Sequence, residues 1–201
     1  MCIRDRVTAS NVSELPKTNS RRYIVYDRIS KSMIIGKNED IKSAMASTTK
    51  IMTTIVILEK ADLNETVTVS AKAGGIGGSR LGLKRGDKAS VRDLLYGLML
   101  RSGNDAAVAL AEHVGGSVKG FAKLMNEKAI ELGLTNTHFI TPHGLDDANH
   151  YTTALELAKL TDYAMDNETF AKIVGTKSTT IYINNQPRQI NNTNELLGVL
   201  N

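Results

Sequence analysis

Ser47 and Lys50 stand three residues apart at the start of an apolar stretch, and that pair can do chemistry. Residues at i and i+3 lie on one helix face about a turn apart, so the Lys50 amine meets the Ser47 hydroxyl. A neutral lysine amine beside a serine hydroxyl takes its proton and makes it a nucleophile. Lys50 needs a depressed pKa for that task, and burial against the apolar helix face disfavours its charged form. The first helical turn adds unpaired backbone N–H groups and the positive end of the dipole, where an oxyanion develops. Farther on, Ser102-Gly103-Asn104 offers a hydroxyl and an amide, groups that relay a proton and hold a substrate amide. Together the four residues point to acyl transfer through a serine ester. Neither motif is specific alone: Ser-x-x-Lys arises by chance in a chain rich in both, and an isolated Ser-Gly-Asn merely links helices.

These side chains need elements to position them. Ala44-Met45-Ala46 leads into Ser47, and Ile51, Met52, Ile55, Val56 and Leu58 then recur at helical spacing up to Glu59-Lys60. That periodicity predicts a helix carrying Ser47 in its first turn. Ser90-Val91-Arg92-Asp93 reads as a capping box opening a helix through Leu94, Leu95, Leu98, Met99 and Leu100. The run stops at Arg101, where Ser102-Gly103-Asn104-Asp105 favours a turn, and a new helix runs from Ala106 to Gly115-Gly116. Ser117 to Leu132 is amphipathic and closed by Gly133, while Thr153-Ala154-Leu155-Glu156 reads as a second capping box before a helix through Ala164. Ahead of this mainly helical middle, Tyr23-Ile24-Val25-Tyr26 and Met33-Ile34-Ile35 read as a hairpin. Gly74-Gly75-Ile76-Gly77-Gly78 is a flexible or tightly turned loop, either the rim of a site or a plain connector. The tail reads as a strand, Thr179 to Ile183, followed by irregular Asn-rich chain, and no internal repeat is visible.

Composition sets bounds. The chain of 201 residues, 41% hydrophobic, can bury a substantial core as one domain or a domain with a lobe. No apolar run reaches the length of a membrane helix. Cys2 is the sole cysteine, which excludes a disulfide framework and a cysteine metal site. The net charge of +4 is interspersed and gives no concentrated patch for nucleic acid. His143 and His150, with Asp146 and Asp147 between them, match no zinc spacing; turn and packing roles are the expectation, so no metal is expected. Tyr151 is given no catalytic role, and Met45, Met52 and Met99 read as core filler.

At greater length the sequence resembles a known family, the serine D-alanyl-D-alanine carboxypeptidases, or low-molecular-mass penicillin-binding proteins, of bacterial cell walls. The resemblance runs from about Tyr23 to the last residue. It rests on Ala46-Ser47-Thr48-Thr49-Lys50-Ile51-Met52-Thr53, Gly82-Leu83-Lys84-Arg85-Gly86-Asp87 and Leu100-Arg101-Ser102-Gly103-Asn104-Asp105-Ala106-Ala107. Thr141-Pro142-His143-Gly144-Leu145-Asp146 and His150-Tyr151-Thr152-Thr153-Ala154 follow in the same order. The resemblance implies an α+β, β-lactamase/transpeptidase-like fold, a helical lobe on an antiparallel sheet with the nucleophile between them. It implies that Ser47 forms the acyl-enzyme, Lys50 is the general base, Ser102 relays a proton to the leaving group, and Asn104 holds Lys50 and the substrate amide. One oxyanion donor would be the Ser47 backbone N–H. No cofactor is implied. The partners implied are a peptidoglycan stem peptide ending in D-Ala-D-Ala and β-lactam antibiotics, outside the cytoplasmic membrane.

The family's third motif, Lys-Thr-Gly on an edge strand, has no counterpart; Gly175-Thr176-Lys177 has the wrong order and comes too early. The expectation is that the chain stops just short of it, after Asn192-Thr193-Asn194-Glu195-Leu196-Leu197, leaving the sheet incomplete. On that reading residues 21–201 are a truncated catalytic domain, with any C-terminal membrane anchor beyond it. Residues 1–20 are a leader whose first six, Met1-Cys2-Ile3-Arg4-Asp5-Arg6, resemble a translated sequencing adapter. A signal peptide is then expected to be missing from the front. Two other readings stay open: a class A-like β-lactamase, although Gly103 stands where that family usually has Asp, or a catalytically incompetent penicillin-fold module.

Overall fold

The structure, a computed structural model, describes residues 18–145 and 147–197. The expectations about residues 1–6, Cys2 and Asp146 therefore fall outside it. The expected hairpin forms from β1 (Tyr23–Asp27) and β2 (Ser32–Lys37). Asp27 closes its turn by accepting from the Ile29 and Ser30 N–H groups.

The chain then bends into a short 3-10 helix (Ala46–Thr49) that continues directly as α1 (Lys50–Lys60). Six consecutive residues of α1, Met52 to Ile57, are buried. A helix buried on every face lies inside a fold rather than on it, and five helices later in the chain pack around α1. Strand β3 (Thr66–Thr68) pairs with β4 (Lys88–Ser90) around a short helix, α2 (Ala71–Gly75). The middle was expected to be mainly helical; this ladder is the exception, too short to show as an alternating pattern.

Helices α3 (Val91–Leu100), α4 (Asn104–Gly115) and α5 (Val118–Glu131) follow the predicted boundaries closely. Ser90 caps α3 by accepting from the Asp93 N–H, as expected of that motif. Alanines fill the buried stretch of α4 from Ala106 to Ala111, letting neighbouring helices approach. Phe121, Met125 and Ala129 form the buried face of α5.

The segment before α6 (Ala154–Met165) returns across the molecule, where Ser43 and Thr152 exchange backbone hydrogen bonds at 2.8 and 3.0 Å. Thr153 caps α6 through the Glu156 N–H, but the reciprocal half of the expected capping box is not made. The Glu156 carboxylate instead accepts from the Asn136 N–H and the Thr137 hydroxyl, cross-linking the preceding loop. Arg28 and Lys31 reach Asp162 at 2.8 and 2.7 Å, tying the first hairpin to α6.

After α7 (Glu168–Val174), β5 (Ser178–Ile183) pairs with β6 (Gln186–Asn191). This corrects the reading of the tail as irregular. Asn184 and Asn185 both have positive φ, 53° and 60°, and form a two-residue turn whose twist suits a hairpin. Asparagine tolerates that region better than most residues, so the Asn-rich composition belongs to a turn rather than to loose chain. The described residues thus hold three separate two-stranded antiparallel pairs around a helical core. No helix among them is long and apolar enough to cross a membrane.

Candidate active site

Ser47 is exposed at the start of the central helix, while Lys50 directly beneath it is 2% exposed. The predicted first-turn placement holds in a tighter form: Ser47 belongs to the 3-10 helix, and the α-helical bonding begins at Lys50. Lys50 Nζ lies 3.0 Å from Ser47 Oγ, 2.9 Å from Asn104 Oδ1 and 3.0 Å from the His143 carbonyl oxygen. Ser102 Oγ lies 3.0 Å from Ser47 Oγ. The structure therefore brings all four sequence-predicted residues together.

The partners of Lys50 dictate its electronic state. Asn104 Oδ1 and the His143 carbonyl can only accept, so they engage two N–H groups of the amine. The third position faces Ser47 Oγ. In the neutral amine that position is the lone pair, aimed at the serine proton. All three partners are uncharged, so burial is not offset by a carboxylate, and desolvation pulls the Lys50 pKa from 10.5 down to about 8. His143 does not add a charge at neutral pH. Burial first, and then the charges of neighbouring groups, Lys50 foremost, push its pKa down to about 4.

Asn104 opens α4 and is 3% exposed. Its Nδ2 donates to the Gly77 carbonyl at 2.8 Å, which turns Oδ1 toward Lys50. The adjacent Gly78, at φ +80°, passes so close that a Cβ there would stand 2.6 Å from Asn104 Nδ2. The glycine-rich loop is thus part of the site's rim at Gly77 and Gly78, whereas Gly74 and Gly75 end α2.

Two non-glycine residues beside Ser47, Ala46 and Ser102, have φ of +46° and +53°. That left-handed conformation costs roughly 1–2 kcal/mol per residue, and the surrounding bonds must hold it. Several of the holding groups were not singled out from sequence. Buried Asp105 accepts from the Leu81, Gly82 and Leu83 N–H groups at 2.7 to 2.9 Å, pinning the segment before β4 against the start of α4. Thr53 Oγ1 donates to the Pro142 carbonyl at 2.7 Å, so α1 fixes the 141–144 loop through both Thr53 and Lys50. Gly144, at φ +84°, lies against the Ala46 carbonyl, and a Cβ there would overlap that oxygen. The sequence marks this loop only as a turn; nothing local says that it lies against α1.

His150, expected to pack or turn, does both. Its Nδ1 accepts from the Ile140 N–H at 2.9 Å, so Nε2 carries the proton and donates to Thr49 Oγ1 at 2.7 Å. Its ring meets Phe139 edge-on, with centroids 5.8 Å apart. Tyr151 lies under Lys42, whose Nζ is 4.6 Å from the ring centroid.

The arrangement suits activation of a serine: an exposed hydroxyl, a buried amine held by neutral acceptors beneath it, and a second hydroxyl within hydrogen-bond distance of the first. Known proteins resemble the chain as a whole. The profile of a family described as D-alanyl-D-alanine carboxypeptidase matches residues 8–201. D-alanyl-D-alanine carboxypeptidase DacF of Bacillus subtilis is 38% identical over 158 residues, covering 76% of this chain and 41% of its own. The chain thus spans about two fifths of that relative's length. Among solved structures, the D-alanyl-D-alanine carboxypeptidase of Mycobacterium tuberculosis superposes with a TM-score of 0.88 at 34% identity, covering 94% of this chain and 72% of that one. Penicillin binding protein 6B of Escherichia coli gives a TM-score of 0.82 at 33% identity, covering 92% and 61%. These likenesses bear out the expected α+β transpeptidase-like fold and do not favour the β-lactamase reading. Matched along nearly its whole length, with its serine, lysine and second serine gathered at one helix end, the chain belongs to the D-alanyl-D-alanine carboxypeptidase family.

Proposed function

We propose that the chain carries out serine acyl transfer on peptidoglycan stem peptides, removing the terminal D-alanine outside the cytoplasmic membrane, and that β-lactams acylate the same serine. The observation that carries this reading is the Lys50 amine held between Asn104 Oδ1 and the His143 carbonyl with Ser47 Oγ at its third position. Neutral Lys50 takes the Ser47 proton as Oγ attacks the carbonyl carbon of the D-Ala-D-Ala amide. The Ser47 N–H, at the start of the 3-10 helix and without an intrahelical acceptor, is placed to stabilise the oxyanion. The proton passes from Lys50 through the Ser102 hydroxyl to the departing amine, the C–N bond breaks, and an ester on Ser47 remains. Water then attacks that ester as Lys50 accepts its proton, the acyl C–Oγ bond breaks, Lys50 returns the proton to Ser47 Oγ, and the acid product leaves. Asn104 serves this cycle by orienting Lys50; an amide NH2 has two donors and Gly77 engages one, leaving the other for the substrate amide.

Two readings of one preparation test the proposal. D-Alanine should be released from a peptide ending in D-Ala-D-Ala, and the benzylpenicillin ester on Ser47 should persist for many minutes. An ester that turns over within seconds would assign a β-lactamase instead.

A further inference from the structure

One residue along the chain from Ser102, Arg101 joins Arg80 and Arg188 in lining a cleft of about 300 Å³, with Leu81 and Asn191 also in its wall. Three distant parts of the chain deliver these cations: the loop before β4, the end of α3, and β6. Two covalent neighbours couple the cleft to the site. Arg101 precedes Ser102, and Arg80 follows Ser79, whose carbonyl accepts from the Asn104 N–H at 2.8 Å.

The guanidiniums are little used by the fold. Arg188 donates to the Leu81 carbonyl at 2.7 Å and Arg80 to the Ile76 carbonyl at 3.2 Å. A guanidinium has five N–H donors, so most remain available. None of the three forms an ion pair among the described residues. The carboxylate of Asp105 lies behind the same loop, but the N–H groups of Leu81, Gly82 and Leu83 surround it. Three like charges gathered without a counter-charge repel one another, and an anionic ligand relieves that repulsion.

The geometry points to a subsite at Arg80, Arg101 and Arg188 for a free carboxylate borne by the acyl-donor peptide away from the scissile bond. The inference rests on the reaction proposed above, which makes Ser47 the reacting centre. The leaving group there is a single residue, so a second carboxylate away from the scissile bond belongs to the acyl side of the substrate. Arg forks match a carboxylate in two parallel hydrogen bonds, which gives selectivity against the corresponding amide.

The test uses two synthetic pentapeptides ending in D-Ala-D-Ala, identical except that the second residue carries a free carboxylate or its primary amide. Each competes with benzylpenicillin for Ser47, read by intact mass at low ionic strength. The carboxylate peptide should protect Ser47 at about tenfold lower concentration than the amide. Arg101→Gln, which removes a guanidinium that holds no hydrogen bond among the described residues, should narrow that ratio to about threefold. Adding Arg188→Gln should bring it close to one, with a thermal melt run beside it to confirm folding. Equal protection by both peptides, with Ser47 still labelled, overturns the subsite and leaves the proposed reaction standing. A preference that survives in the folded double variant overturns it too. No labelling of Ser47 by benzylpenicillin overturns the proposed reaction, and the subsite falls with it.

Discussion

Lys50 carries the most quantitative prediction, because its burial fixes both a rate profile and a stability profile. With a pKa of about 8, the amine is neutral in roughly one molecule in eleven at pH 7 and roughly ten in eleven at pH 9. The second-order rate of Ser47 acylation by benzylpenicillin should therefore rise about tenfold between those values, with its midpoint near 8. Stability must move with it. In the unfolded chain the lysine recovers its ordinary value of 10.5, so between about 8 and 10.5 the unfolded state binds more protons than the native one. Stability then rises with pH across that window. The burial penalty is fully present below pH 8 and fades by 10.5; the difference of about 2.5 units corresponds to about 3 kcal/mol. Urea unfolding of the wild-type chain and Lys50→Met at pH 7, 8.5 and 10 isolates this term, since other titrations cancel between the two. The gap should shift in favour of wild type by most of that amount. A rate flat from pH 6.5 to 9.5, or a gap independent of pH, would refute the assignment of Lys50 as a buried base.

Two substitutions test the frame around the site. Gly144→Ala places a methyl onto the Ala46 carbonyl and 2.7 Å from Thr49 Oγ1 at a φ of +84°, so the 141–144 loop must move away from α1. A loss of at least about 2 kcal/mol is expected, and withdrawal of the His143 carbonyl from Lys50 should slow acylation by about a hundredfold; an unchanged thermal midpoint would contradict the packing described. Asp105→Ala leaves the Leu81, Gly82 and Leu83 N–H groups without their acceptor, which should cost about 2–4 kcal/mol by denaturant midpoint, with Asp105→Asn intermediate because one acceptor oxygen remains.

Local signals were legible in the sequence where the physics is local. The Ser90 and Thr153 caps, the apolar period of α1 and the glycine after α5 each depend on residues within a turn or two, and they place the helices. Ser47 and Lys50 could be paired because their spacing alone puts them on one face. Their link to Ser102 and Asn104 rests on complementary chemistry and on the resemblance to a family, since a contact between α1 and the α3–α4 junction has no local signature. The missed features share that character. Asp105 reads as one more turn residue until the fold lays the 81–83 segment across it. Glu156 looks like the partner of its own cap until Asn136 and Thr137 arrive from a distant loop. The β3–β4 ladder has three residues on each side, too few to show a period, and is made by pairing across α2. The second hairpin was missed for another reason: Asn184-Asn185 is a turn signal, but it was read as Asn-rich composition.

The measurement that tests the central claim most directly is the intact mass and peptide map of the chain after incubation with benzylpenicillin, beside Ser47→Ala. A single persistent adduct on Ser47, absent from the variant, is the predicted result. An adduct that survives in Ser47→Ala, or an unmodified chain at a pH above 8 where Lys50 is neutral, would contradict it.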